Sequence, residues 1–172
     1  MKRIVVISAL SAASLALGAC SKKAPAELPP PPVDNTADAA QTTSTNPLGP
    51  VPGTQAHFRQ AVNGQNVIYF DTDQYNVDSV DAAALQTQAQ YLLQYANVNA
   101  TIEGHTDERG TRDYNLALGE RRANSAKNYL VGLGVPAARL RTVSYGKESP
   151  VATGSDPAAW AQNRRAATIV IE

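Results

Sequence analysis

The sequence predicts an α+β fold for residues 53–172, an α/β sandwich in which helices cover one face of a mixed four-stranded sheet. Short runs of β-branched and aromatic residues alternate in this region with segments whose apolar residues recur every three or four positions. All ten aromatic residues of the chain lie after residue 57, whereas eight of its eleven prolines lie between residues 21 and 52. A βαβαβ order with one more strand is typical of a layered domain, and a disordered tether is expected to precede it.

Four segments are expected to form the strands. Residues 67–70 combine Val, Ile, Tyr and Phe and end at the polar turn Asp71-Thr72-Asp73. Residues 100–103 alternate apolar and polar side chains as a second strand, and residues 140–145 and 167–171 are predicted as the third and fourth. Because alternate side chains of a strand point to opposite faces, this sheet buries one face against the helices.

Three segments are expected to form helices. Asp78 is the predicted N-cap of the first, which ends near Tyr95 and carries apolar residues at 80, 84, 85, 89, 92 and 93. The second runs from about residue 112 to 133, where Gly134 and Pro136 stop it. A short third helix is predicted at residues 157–161, with Trp160 as a core residue; a partner-facing anchor is the alternative for Trp160.

The first nineteen residues are predicted to be an export signal. Lys2 and Arg3 precede an apolar run at residues 4–17, which is too short to span a bilayer comfortably; an N-terminal anchor helix is the alternative. The following Leu17-Gly18-Ala19-Cys20 resembles the lipobox of bacterial lipoproteins. That resemblance implies cleavage before Cys20 and lipidation of its thiol and amino group. Ser21 at the next position favours attachment to the outer membrane, on its periplasmic face.

Residues 20–52 are predicted to be a Pro-rich, disordered linker behind the lipidated cysteine. This segment contains none of the chain's aromatic residues, so it cannot build a core. The consecutive prolines at 29–32 stiffen part of it into a polyproline II helix. The linker therefore holds the folded domain, residues 53–172, at a distance from its membrane.

Composition excludes several classes of function. Lysine and arginine together number 15, as do the acidic residues, so the formal charge is zero and no basic surface for nucleic acid is expected. One cysteine and two separated histidines give no zinc ligand set, and the residues after Asp71-Thr72-Asp73 depart from a calcium loop. No Gly-rich phosphate loop follows a strand. We expect no metal, no cofactor and no catalytic residue.

One group of polar residues is expected to form a binding site. Gly104 and Gly110 permit a turn that presents Asp107, while Asn115 and Arg122 lie two turns apart on one helix face. Gly119 between them leaves room for a ligand. A carboxylate accepts from an ammonium and an arginine grips a carboxylate, so the site fits an amino acid's zwitterionic end. Loss of either charge is then expected to weaken binding with little effect on folding. The alternative is an Asp107–Arg122 ion pair that only joins loop to helix.

The same residues carry a resemblance to a known family. The segment IEGHTDERG at residues 102–110, Asn115, Leu118, RRA at 121–123, Tyr145-Gly146, Pro150 and NRR at 163–165 resemble the OmpA-like peptidoglycan-binding domain. The resemblance covers the whole predicted domain. It implies that Asp107 and Arg122 bind diaminopimelate of the peptidoglycan stem peptide and that Asp73 is a third contact. The implied ligand set also includes Thr72, Asn115 and Leu118.

The function implied is that of a non-catalytic outer-membrane lipoprotein that ties the membrane to the wall. Lipid-anchored members of the family bind the periplasmic protein TolB and other Tol components and contribute to envelope integrity and cell division. An alternative is a lipoprotein that anchors a different envelope complex. A hydrolase that uses carboxylates such as Asp71, Asp73 and Asp107 on the glycan is a remote alternative. Arg164 and Arg165 are expected to pair with acids and fix the last strand.

Overall fold

A computed structural model describes residues 49–171. The elements in chain order are α1 (Gln55–Ala61), β1 (Val67–Tyr69), α2 (Ser79–Gln94), β2 (Asn99–His105), α3 (Arg112–Gly132), the 3-10 helix Ala137–Arg139, β3 (Leu140–Gly146), α4 (Pro157–Asn163) and β4 (Arg165–Ile171). All four strands expected from the sequence are present, and α2, α3 and α4 are the three expected helices. The predicted signal, the lipobox with Cys20 and the linker up to residue 48 lie outside the described residues.

The four strands form one mixed sheet, which confirms the predicted fold class. Their order is β1-β4-β2-β3, with β2 parallel to β3 and antiparallel to β4, while β1 runs antiparallel to β4. In this register Ile102 lies opposite Thr142 on one side and Thr168 on the other. Ala100 and Ile102 are fully buried, so the even-numbered residues of β2 face the helices.

The helices begin at side-chain caps and bury one face each. Asp78 accepts from the backbone N–H of Asp81 at 2.8 Å, as predicted for an N-cap, and Thr111 caps α3 in the same way. Leu85, Leu92 and Leu130 are completely buried against the sheet. Burial of each such side chain stabilises the fold by about 1.5–3 kcal/mol, so this layer supplies much of the folding energy.

Helix α1 was not expected from the sequence. It is only seven residues long, and it places Phe58 and the following Val62 in the core with no exposed area. Phe58 packs against Tyr91 of α2 with ring centroids 5.0 Å apart. Two apolar residues four positions apart are too weak a periodic signal for a short helix, and tertiary burial stabilises it instead.

Helix α3 lies unusually close to the sheet at a pair of glycines. A Cβ atom at Gly104 of β2 would overlap the carbonyl oxygen of Gly119, and one at Gly119 would overlap Ser144 Oγ and lie 2.8 Å from the Gly104 carbonyl oxygen. The Ser144 hydroxyl also donates to the carbonyl of Leu116 at 2.7 Å. Gly119 therefore faces the sheet, and the prediction that it leaves room for a ligand is wrong. The close approach instead fixes the height of α3 above the end of β2.

Within residues 49–171, no helix combines the length and apolar character that crossing a bilayer requires.

Candidate functional site

A cavity of about 280 Å³ lies where the loops that follow β1 and β2 meet the first half of α3. All six residues predicted to bind a ligand line it, together with five others. The lining residues are Thr72, Asp73, Thr106, Asp107, Arg109, Gly110, Tyr114, Asn115, Leu118, Arg122 and Arg164. The sequence separation between Thr72 and Arg164 shows that tertiary folding, not local structure, assembles this site.

Asp107 is the buried anion of the cavity, with 6% of its surface exposed. Oδ1 accepts from the backbone N–H of Arg109 at 3.2 Å and from its Nε at 3.0 Å, and Oδ2 lies 2.7 Å from Arg109 Nη2. Arg164 Nη1 lies 3.5 Å from the same Oδ2. Burial raises the pKa of Asp107, but the hydrogen bonds and charge of Arg109 and a hydrogen bond from Arg164 outweigh it and hold the pKa below its usual value. Asp107 is therefore ionised at neutral pH.

Arg122 forms the floor of the cavity and is completely buried. Its guanidinium donates to three backbone carbonyls: Nε to Gln74 at 2.8 Å, Nη1 to His105 at 2.8 Å and Nη2 to Asp71 at 3.0 Å. Burial, with repulsion from Arg164, lowers the pKa of Arg122 to about 10, so it stays charged at neutral pH. Among the described residues there is no direct Asp107–Arg122 ion pair, and Arg122 joins the loop after β1 to the end of β2 through carbonyls.

Arg164 lies in the cavity wall, where the sequence did not predict a site residue. Its Nε donates to the Phe70 carbonyl at 2.9 Å, and its Nη1 faces Asp107. It therefore does pair with an acid, as expected, but this acid belongs to the cavity. The sequence signal for Arg164 as a site residue was the NRR motif. Because Arg165 begins β4, the side chain of the preceding arginine can turn toward the loops after β1 and β2.

Arg109 covers the rim of the cavity, and its side chain is 43% exposed. Its guanidinium carbon lies 4.3 Å from the ring centre of Trp160, and the Trp160 indole N–H donates to Glu108 Oε1 at 3.0 Å. Trp160 is thus a half-buried residue at the rim, and its prediction as a core residue is wrong. The aromatic face orients Arg109 toward Asp107 by a cation–π contact.

The loop after β1 supplies the opposite wall. Asp73 adopts the left-handed backbone conformation, with φ of 57°, which aspartate tolerates better than most residues. The Tyr114 hydroxyl donates to Asp73 Oδ1 at 3.0 Å, and this hydrogen bond raises the pKa of Tyr114. Arg109 Nη2 lies 3.4 Å from the Thr72 hydroxyl and spans the mouth of the cavity. Tyr114 was missed by sequence reasoning because its partner lies 41 residues away.

Asn115 and Leu118 hold the helix side of the cavity. Asn115 is 2% exposed, and its Nδ2 donates to the carbonyls of Arg109 at 2.7 Å and Thr111 at 3.0 Å. The amide therefore fixes the loop that carries Asp107 to the start of α3. Leu118, 6% exposed, provides an apolar wall beside these charges.

The charges of the lining residues favour a ligand with at least one carboxylate. Three arginines face two aspartates, so the cavity has a formal charge of +1. Asp107 offers an acceptor for a cation, and the arginines offer donors for an anion a few ångströms away. No group of three histidine, cysteine, aspartate or glutamate residues within residues 49–171 could hold a metal ion.

Comparisons with known proteins identify a family model and close sequence relatives. The OmpA family model matches residues 69–164. A peptidoglycan-associated lipoprotein of Rhizobium meliloti strain 1021 is 54% identical over 119 residues, which are 69% of this chain and 66% of that protein. One of Mesorhizobium japonicum is 44% identical over 169 residues, 98% of this chain and 92% of that protein.

Solved structures agree with the sequence relatives. The crystal structure of the peptidoglycan-associated lipoprotein from Burkholderia pseudomallei is 46% identical, with a TM-score of 0.63, and the match covers 66% of this chain and 96% of that one. The C-terminal domain of Helicobacter pylori MotB has a TM-score of 0.57 at 19% identity, over 62% of this chain and 84% of that one, and this likeness concerns the fold alone.

Proposed function

This chain belongs to the OmpA family and, within it, to the peptidoglycan-associated lipoproteins, and from that premise we propose that it binds peptidoglycan non-covalently through diaminopimelate of the stem peptide. The observation that carries the proposal is the juxtaposition of a buried ionised Asp107 with Arg122 and Arg164 in one small cavity. A free diaminopimelate end presents an ammonium and a carboxylate on the same carbon. The cavity offers one complementary charge for each.

Asp107 receives the ammonium in this proposal. Both of its oxygens already accept from Arg109, so the ammonium must share the carboxylate with Arg109 or displace it toward Trp160. Arg109 is the most exposed partner of Asp107 and sits on an aromatic face, which lets it move without losing its cation–π contact. The ligand therefore shares Asp107 with an internal cation or replaces that cation.

Arg164 and Arg122 receive the carboxylate. The side chain of Arg164 is 14% exposed, and its guanidinium has donors beyond those taken by Phe70 and Asp107. Arg122 lies beneath with no exposed surface and adds its charge from the floor. A buried positive charge attracts an anion across a short distance even where the two do not touch. Asp73 and Thr72 close the outer wall around the same ligand.

The electrostatics argue against a glycoside hydrolase. A general acid needs a carboxyl that is protonated near neutral pH, and the arginines hold the pKa of Asp107 below its usual value. Asp71 contributes its backbone carbonyl to Arg122 and lies in the loop after β1. We therefore propose a binding protein that does not catalyse a reaction.

The wider role follows the family. We propose that Cys20 is lipidated, that the linker of residues 20–52 separates the domain from the outer membrane, and that the protein anchors this membrane to the wall from the periplasmic side. Within the Tol–Pal system its partners would be TolB and the other Tol components, with roles in envelope integrity and cell division. Anchoring of a different envelope complex is the competing proposal, and loss of TolB from pull-downs with the tagged protein would favour it.

Replacement of Asp107 by Asn tests the binding site. Loss of the charge removes a charge-assisted hydrogen bond worth about 1.5–3 kcal/mol, so binding to purified peptidoglycan is expected to weaken by about tenfold to a hundredfold. Co-sedimentation of the full-length protein with insoluble peptidoglycan measures this, with free meso-diaminopimelate as the competitor. Asp113→Asn, an exposed acid in the first turn of α3, is the matched control and should bind normally. If Asp107→Asn only lowers the melting temperature and its folded fraction binds like the wild type, Asp107 joins structural elements and does not bind ligand.

A further inference from the structure

Thr106 is a lining residue that neither the sequence motif nor the ion pairs of the cavity explain. It follows the last residue of β2, is 3% exposed and directly precedes Asp107. Its backbone N–H donates to the Gly146 carbonyl at 2.8 Å, so the main chain at this position is fixed. Its hydroxyl, in contrast, has no hydrogen-bond partner among the described residues.

A buried hydroxyl without a partner is unusual and destabilises a folded protein, because it has lost its contacts with water and gained none. Thr168 shows the ordinary arrangement in the same domain. It is 2% exposed, and its hydroxyl lies 2.6 Å from Gln88 Oε1, to which it donates. The sequence provides a partner for one buried threonine hydroxyl and leaves the other, at a residue that lines the cavity, without one.

A second cavity, of about 310 Å³, also borders Thr106 on the other side of the 106–110 loop. The Lys147 and Asn163 side chains that line it already bond to the protein. Lys147 Nζ donates to the carbonyls of Glu108 and Gly110, and the Asn163 side chain bonds the backbone of Val151 and Ala152. The missing hydrogen-bond partner of the Thr106 hydroxyl is therefore expected in the first cavity, beside Asp107.

We infer that Thr106 is a ligand-binding residue whose hydroxyl accepts a hydrogen bond from the ammonium held by Asp107. This inference rests on the proposed function and adds a residue to it. A primary ammonium has three N–H donors in a tetrahedral arrangement, and a single carboxylate on one side cannot accept all of them. A neighbouring hydroxyl takes a second donor, so the pair selects an ammonium over a cation whose donors lie in one plane.

The test replaces Thr106 by Val, which has nearly the same shape and no hydroxyl. Because the free protein loses an unpartnered group, the melting temperature of Thr106→Val is expected to stay the same or rise. Its affinity for the stem tripeptide L-Ala-γ-D-Glu-meso-diaminopimelate is expected to fall by about tenfold to a hundredfold, as for the loss of one hydrogen bond to a charged group. Titration calorimetry and thermal unfolding of the full-length protein measure the two effects.

Two further variants complete the test. Thr168→Val is the matched control. It should lower the melting temperature, because Gln88 Oε1 loses the hydroxyl that donates to it, and it should leave the affinity unchanged. Thr106→Ser retains the hydroxyl and should bind within about twofold of the wild type. Wild-type affinity in Thr106→Val, or a lowered melting temperature of that variant, would overturn the inference while the proposed function stands. Failure of the wild type to bind the peptide would overturn both.

Discussion

Replacing Arg122 with Met is expected to lower the free energy of unfolding by about 3–5 kcal/mol, in addition to weakening ligand binding. Methionine retains most of the apolar stem but leaves the carbonyls of Gln74, His105 and Asp71 without their donor. Those carbonyls belong to the loop after β1, which lies 48 to 51 residues before Arg122, and to the end of β2, which lies 17 residues before it. Urea unfolding of the full-length protein, followed by circular dichroism, measures the loss.

Arg121→Met is the matched control for this change. Arg121 is the neighbouring residue of the same helix, but it is exposed and lies 5.8 Å from the Tyr75 ring. Its replacement should change the free energy of unfolding by no more than about 0.5 kcal/mol. If Arg122→Met unfolds within about 1 kcal/mol of the wild type, the three carbonyl contacts do not hold these loops together.

The expectation from sequence alone was that loss of Arg122 would hardly affect folding. Because Arg122 donates to three backbone carbonyls, its loss is instead expected to destabilise the fold strongly. For the same reason, weaker binding by an Arg122 variant does not by itself show that Arg122 contacts the ligand. A weaker-binding Arg122 variant could have lost either the ligand's counter-charge or the shape of the cavity. Asp107→Asn and Thr106→Val are therefore the sharper tests of ligand contact.

Gly104→Ala is expected to destabilise the domain by at least about 3 kcal/mol. Its Cβ atom would overlap the Gly119 carbonyl oxygen, and this backbone atom can move only if α3 lifts from the sheet. The hydrogen bond from Ser144 to Leu116 and the floor of the cavity depend on the same spacing. A melting curve of the full-length protein is the simplest measurement.

Gly132→Ala in the same helix is the control. A Cβ atom there meets nothing within 4 Å, and the residue ends α3 without a left-handed backbone angle. Alanine should therefore stabilise the protein by about 0.4–1 kcal/mol by restricting the unfolded chain. Equal effects of the two substitutions would show that the helix–sheet spacing is not limited by Gly104.

The parts of the fold that the sequence predicts correctly are those with a strong periodic pattern or a helix cap. The helix that begins at Asp78 and the strands around Ile68 and Ile102 each have an alternation or a cap that local rules recognise. Helix α1 has a Thr54 cap and is followed by Gly64, but it has no long apolar face, and its stability comes from Phe58 in a core built by distant elements. The prediction for Gly119 was wrong because the sequence does not show whether a glycine in a helix faces a ligand or a neighbouring strand.

Some residues of the candidate site could likewise be predicted from the sequence, and others could not. Asp107 and Arg122 could be found because they lie within an ordered motif, 15 positions apart. Arg109 and Arg164 also stand in motif segments, but their roles in the site and that of Trp160 could not be predicted. These roles depend on contacts between a loop after β2 and the last helix, 51 to 57 residues apart in sequence. The unpartnered hydroxyl of Thr106 is likewise a property of the folded chain.

The central claim is that the cavity recognises both charges of a diaminopimelate end, and a calorimetric titration with two peptides tests it most directly. One is the stem tripeptide with a free diaminopimelate carboxylate, and the other is the same peptide amidated at the side-chain end. The wild-type protein should bind the free acid about tenfold to a hundredfold more tightly, because only that peptide gives Arg164 and Arg122 a carboxylate on the same carbon as the ammonium. Equal affinities for the two peptides would contradict the claim.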